Sequence, residues 1–201
     1  MLLLKKIEEV LADNMRLTGD RYDEIEDVVI KMYSKIAIKR FPLDCFDICD
    51  QLGIKYTPYS SLSEEKKSAL CTGSQDGLNV LWEISKGQFL FVIYFNDTLS
   101  SRRIRFTIMH ELGHIILNHT EHSDLAESEA NYFAKYALAP PPLVHTLQIQ
   151  DYVELADRFD ISYECAFYCM QKYSKWFQYG APDYRDNELA LISLFTPVIR
   201  F

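Results

Sequence analysis

The chain has 201 residues, 48% of them hydrophobic, enough for one cored domain or for one domain with appendages. Its formal net charge of −8 argues against a broad nucleic-acid surface, because phosphate binding requires clustered Lys and Arg. The opening Met-Leu-Leu-Leu-Lys-Lys is too short an apolar run for a signal peptide. The longest strongly apolar stretch, Phe89 to Phe95, is far below a membrane span, so a cytoplasmic protein without membrane contact is expected.

Residues 2–12 and about 21–40 read as helices separated by Thr18-Gly19-Asp20. The second carries Ile25, Val28, Val29, Met32 and Ile36 at helical spacing, and Phe41-Pro42 ends it. A short helix over 43–52 stops at Gly53. Ile54–Tyr59 and Ala69–Thr72 are predicted strands around a polar loop, with Cys71 on the second. Leu78–Ile84 and Gln88–Phe95 form a predicted hairpin turning at Ser85-Lys86-Gly87, and the continuous run Phe89–Phe95 predicts burial on both faces. Helices follow over about 101–118 and 124–138, and Pro140-Pro141-Pro142 stops the second and marks a subdomain hinge. Residues 143–148, 150–158 and 162–176 read as helical. Leu155–Ser162 resembles the opening of a helix-turn-helix. The helix after it, however, carries one acidic group over Tyr163–Met170 and no arginine, which suits packing better than a major groove. Residues 178–201 read as a tail whose apolar run Leu189–Phe195 is a docked strand, an interface or part of the core.

The chemistry is concentrated in His110-Glu111-Leu112-Gly113-His114. On a helix, residues four apart point the same way, so His110 and His114 can share one divalent metal. Glu111 lies about 100° round the helix, within reach of a water at that metal. Two imidazoles with a carboxylate base form the H-E-x-x-H arrangement of zinc hydrolases. Ile104, Ile108, Leu112 and Ile115 cluster on the opposite side as a core face. Gly113, a poor helix former beside the ligand face, predicts the close approach of another segment.

Catalytic zinc usually takes three protein ligands and leaves one position open. The next helix offers Glu127 and Glu129, with Asp124 as a possible cap. Glu127 shares a face with Ala130, Asn131, Ala134 and Leu138, small and partly apolar, as close helix packing requires. Glu129 lies about 160° away, with Tyr132 and Tyr136. Glu127 is therefore read as the inward ligand and Glu129 as the outward alternative. Asn131, one turn on, is placed to orient a ligand.

These residues carry a resemblance. Arg105-Phe-Thr-Ile-Met-His-Glu-Leu-Gly-His114, then Glu127-Ser-Glu-Ala-Asn-Tyr-Phe-Ala134, then Pro140, resembles the ImmA/IrrE family of metallopeptidases. So do Phe41–Ile54 and Val92–Asn96, and the likeness spans roughly residues 40–145. It implies metal ligation by His110, His114 and Glu127 and base catalysis by Glu111. It also implies proteins that cleave, or otherwise inactivate, helix-turn-helix transcriptional repressors. The expected fold is α+β and zincin-like: a small sheet, an H-E-x-x-H helix and a second ligand-bearing helix. Residues 1–40 would form a helical N-terminal segment, 41–140 the peptidase domain, and 141–201 a helical subdomain and tail.

Other features take blander readings. Cys45 and Cys49, like Cys165 and Cys169, are spaced for a metal but sit in apolar helical contexts, and they read as core. His119 and His122 read as exposed loop residues. Tyr132, Tyr136, His145, His119 and Arg103 are the candidates to stabilise an oxyanion, and the sequence does not choose among them. Three functions follow: a zinc endopeptidase with a narrow protein substrate, a zincin-like module that controls a repressor by docking, or a DNA-binding regulator with a vestigial site. An intact Glu111 favours the first, and the acidic charge disfavours the last.

Overall fold

The computed structural model describes residues 17–37, 40–179 and 183–199. The helix expected over 2–12 lies outside them. Thr18 accepts a hydrogen bond from the Arg21 backbone N–H and caps α1, Gly19–Lys35, which buries Ile25, Val29, Met32 and Tyr33. Asp44 caps α2, Cys45–Leu52, and Gly53 closes it in the left-handed conformation at φ 72°. A short strand follows, β1, Lys55–Pro58.

The second strand expected near Cys71 is not a strand. Glu64–Gly73 forms a helix, α3, with Ser63 at its cap and Glu64 and Glu65 in its first turn. The cap and the acidic first turn are helix-start signals that outweigh the short run Ala69–Thr72. The predicted hairpin is present as β2, Gly77–Ser85, and β3, Gln88–Phe95, antiparallel from Gly77 opposite Phe95 to Ser85 opposite Gln88. β3 also pairs in parallel with β1, giving the order β1-β3-β2. Burial on both faces holds only for the second half of β3. Val92, Ile93 and Phe95 are buried, while Phe89 is 59% exposed. The reason is register: β1 flanks β3 only from Val92 to Phe95, and the hairpin tip projects beyond it.

Two helices cross near this sheet: α4, Ser101–Ile116, and α5, Asp124–Leu138. Gly77 lets the sheet approach α4. A Cβ there would stand 2.5 Å from Thr107 Cγ2 and 2.8 Å from the Tyr94 carbonyl oxygen. Pro140, Pro141 and Pro142 are buried and open α6, Pro141–Thr146, so the chain turns a packed corner there. Then come α7, Tyr152–Phe159, and α8, Tyr163–Tyr179. Asp160 links them at φ 51°, and α8 turns Cys165, Ala166 and Cys169 into the core.

The C-terminal run is helical as well. In α9, Asp186–Ile199, Leu191 and Phe195 are buried, and Phe195 meets Tyr33 edge-on at 5.3 Å. Arg185 ion-pairs with Asp23 and Glu26 of α1 and fastens this end to the other. A single cluster of buried apolar side chains runs from Leu17 to Phe195. No helix among the described residues is long and apolar enough to cross a membrane.

Candidate metal centre

Ser100 caps α4 and Ser123, one residue before the expected Asp124, caps α5. The two helices meet at Gly113, where a Cβ would lie 3.0 Å from Phe133 Cδ1 and 3.2 Å from its Cβ. Phe133 is fully buried. The missing side chain therefore lets α5 lie close enough to deliver a carboxylate to the histidines of α4.

His110 and His114 present their Nε2 atoms 3.1 Å apart. The Glu127 carboxylate spans them, with Oε2 3.3 Å from His110 Nε2 and Oε1 3.3 Å from His114 Nε2. Among the described residues, this is the one group of three His, Cys, Asp or Glu side chains placed to hold an ion. Its donor atoms all lie within 4.8 Å of one another. The two cysteine pairs do not form a second group: Cys45, Cys49, Cys165 and Cys169 are buried free thiols.

The surrounding hydrogen bonds decide which nitrogens face the centre. His119 Nε2 lies 2.9 Å from Glu129 Oε2, an anion that can only accept, so that nitrogen carries a proton. In the neutral ring His119 Nδ1 is then an acceptor, 2.9 Å from His114 Nδ1, which must donate. His114 Nε2 is left with its lone pair toward Glu127. On the other side, His110 Nδ1 donates to Asn131 Oδ1 at 3.1 Å, again freeing Nε2. Both imidazoles thus hold the tautomer that ligation needs.

Charge works the same way. Burial acts to lower the His110 pKa, but the bond that Nε2 donates to Glu127 once the ring is protonated, and the charges of Glu111 and Glu127, outweigh it and hold the ring above its ordinary value. Burial acts to raise Glu127, yet the imidazoles of His110 and His114, which donate to it when protonated, hold the carboxyl well below the usual range. A site that stabilises positive charge between a carboxylate and two imidazoles suits a cation as well as a proton. The donor set of two nitrogens and one carboxylate is one that zinc accepts.

Glu111 is buried and stands outside this donor group. Its Oε2 accepts from Asn79 Nδ2 at 2.7 Å, so β2 holds the carboxylate that α4 supplies. Asn79 was not singled out in the sequence. It sits in the apolar run Leu78–Trp82 with no spacing that marks it, and only the folded register brings it to Glu111.

Two sequence expectations need correction. Glu129 does not face outward: it is 6% exposed, and the Arg21 guanidinium grips both its oxygens at 2.7 and 2.6 Å. The Arg21 bond, opposed by burial and aided by His119, holds the Glu129 carboxyl below its usual range. A helical wheel drawn for α5 alone cannot show that α1 covers this flank. His119 is not a free loop residue, since it links His114 to Glu129. Burial pushes its pKa down, which favours the neutral ring deduced above. His122 is 84% exposed, as expected, but its Nδ1 touches Glu127 Oε1 at 3.2 Å. Of the other candidate oxyanion donors, the buried Tyr136 hydroxyl has no hydrogen-bond partner among the described residues and lines a cavity with Tyr22 and Lys172, and the remaining three are held by groups outside the donor set. Tyr132 donates to Glu26, Arg103 pairs with Asp76, and His145 meets the Tyr173 hydroxyl at 3.0 Å.

A small mixed sheet, an H-E-x-x-H helix and a second helix carrying a glutamate define the zincin-like metallopeptidase fold. The IrrE N-terminal-like domain family, Peptidase_M78, matches residues 49–169, and the chain belongs to that family. A metallopeptidase family implies a metal, and the residues at the junction of α4 and α5 fit one. No curated protein matches the chain.

Proposed function

We propose that this protein is a zinc-dependent endopeptidase of the ImmA/IrrE type that acts in the cytoplasm on a helix-turn-helix repressor. His110, His114 and Glu127 are its metal ligands and Glu111 is its general base. The observation that carries the reading is the convergence of two Nε2 lone pairs and one carboxylate, with both outer imidazole nitrogens already engaged. Zinc, when bound there, supplies a Lewis acid that acidifies water and polarises a carbonyl. Glu111 takes the proton of the attacking water and hands it to the leaving amine. Asn79 holds one Glu111 oxygen and leaves the other for that transfer. β2 is an edge strand that carries Asn79, so an extended peptide paired along it would pass beside Glu111. The resemblance supplies the substrate class.

A second reading rests on the hairpin. Leu81, Trp82, Ile84 and Phe89 are all about half exposed or more, an apolar surface that suits docking without cleavage. One experiment separates the two. The protein and its Glu111→Gln variant are incubated with a co-encoded helix-turn-helix repressor, and peptide fragments and operator release are followed together. Fragments from wild type, reduced about 10²–10⁴-fold in rate by Glu111→Gln, support the peptidase. Operator release without fragments, equal in both proteins, supports docking.

A further inference from the structure

The flank of α5 turned away from Glu127 borders a cavity of 340 Å³ shared with α1 and α8. Lys135, Lys172 and Lys175 line it. In a chain of net charge −8, three ammonium groups on one cavity are a local concentration of opposite sign. Lys172 lies 4.0 Å from the centroid of the Tyr22 ring and 4.6 Å from that of Tyr132, and Lys135 lies 4.7 Å from that of Tyr168. The acids whose field reaches Lys172 are occupied: Asp23 and Glu26 both accept from Arg185, and Glu26 also accepts from Tyr132. Neither Lys172 nor Lys175 forms an ion pair among the described residues. Tyr136 lines the cavity too, and its buried hydroxyl has no hydrogen-bond partner among the described residues.

A half-buried amine such as Lys172, held against two tyrosine rings with no ion pair among the described residues, is costly unless an anion completes it. Three ammonium groups act as point charges with rotatable donors, which suits the several oxygens of a phosphate. The flat fork of arginine, absent from this wall, suits a carboxylate. The tyrosine rings offer stacking surface, and the volume sits at the lower end of the range for small-molecule sites, about 300–1,000 Å³.

We propose that this cavity binds a nucleoside monophosphate, its phosphate held by Lys135, Lys172 and Lys175 and its base set against the tyrosines. This site is independent of the metal reading. It nevertheless borders the same network, because Arg21, which grips Glu129, precedes Tyr22 in the cavity wall.

Isothermal titration of the full chain tests it with AMP, GMP, CMP and UMP, with adenosine, and with inorganic phosphate. Each titration is run with and without EDTA, which separates the cavity from the metal centre. At least one nucleotide should bind saturably whether or not EDTA is present, about tenfold or more tighter than phosphate, while adenosine stays below detection. Lys172→Met and Lys175→Met should each weaken that binding about tenfold or more. Lys175 is exposed, so its variant tests the site even if Lys172→Met disturbs packing. Three results would overturn the proposal: no saturable nucleotide binding up to about 5 mM, binding abolished by EDTA, or affinity unchanged in Lys175→Met. Phosphate binding as tight as the nucleotides would contradict the role given to the rings.

Discussion

The two flanks of α5 show one helix serving opposite chemistries. On the first, Glu127 and Asn131 meet the histidines of α4, and the outer imidazole nitrogens are held by Asn131 and by His119, which Glu129 backs in turn. On the second, Lys135 and Tyr132 meet Lys172 of α8 and Tyr22 of α1, and positive charge gathers without an ion pair on Lys172. The three ligands of the first flank come from two adjacent helices. The second needs three elements far apart in the chain. A site assembled by neighbouring segments can be read from spacing, whereas one assembled by distant segments becomes visible only after folding. Glu129 lies between them and ties α1 to the His119 that orients His114.

The sharpest way to break this comparison is to loosen the groups behind the ligands. Asn131→Ala and His119→Ala should each weaken zinc binding about 10–100-fold, measured by competition with a chromophoric chelator. Lys172→Met should leave it unchanged. An equal loss in Lys172→Met would show that the two flanks are not separate sites.

Glu129→Gln probes the junction. It removes the charge from a buried carboxylate gripped by Arg21 while keeping an acceptor for His119. Urea denaturation should show a loss of about 1–3 kcal/mol, and a variant as stable as wild type would remove Glu129 from the structural role given it here.

Gly77→Ala tests how the sheet meets α4. The added Cβ meets the Tyr94 carbonyl oxygen as well as Thr107 Cγ2, so the sheet must shift. A loss of about 1–2 kcal/mol is expected, with a fall in peptidase rate as Asn79 and Glu111 are displaced. Unchanged stability would mean that the approach is looser than described.

The smallest effect concerns the thiols. Burial pushes Cys45 and Cys49 up to about 12, so in native protein at neutral pH both should resist alkylation while the partly exposed Cys71 reacts. Peptide mapping after brief iodoacetamide treatment reads this out, and early labelling of Cys45 would contradict the packing described for α2.

Much of the α4–α5 site was legible before folding. His110, Glu111 and His114 sit in one turn and a third, and the inward reading of Glu127 followed from the small residues at 130 and 134 that share its face. The close approach inferred from Gly113 has a partner in Phe133. What stayed hidden depended on long-range contacts. Asn79 reaches Glu111 across 32 residues, and Arg21 reaches Glu129 across 108. Of the fold, the hairpin and the central helices were periodic enough to place. The region of α3 was misread because no residue in it is buried, so it carries no periodic core face. The C-terminal helix stayed ambiguous because an apolar run of seven residues, Leu189–Phe195, fits strand or helix equally well by pattern alone.

The most direct test of the central claim is the metal content of purified wild type, Glu127→Gln and Glu129→Gln, measured by mass spectrometry after dialysis against zinc-limited buffer. We expect about one zinc per chain in wild type and in Glu129→Gln, and a small fraction of that in Glu127→Gln. Full occupancy in Glu127→Gln, or a loss confined to Glu129→Gln, would contradict the ligand set on which the account rests.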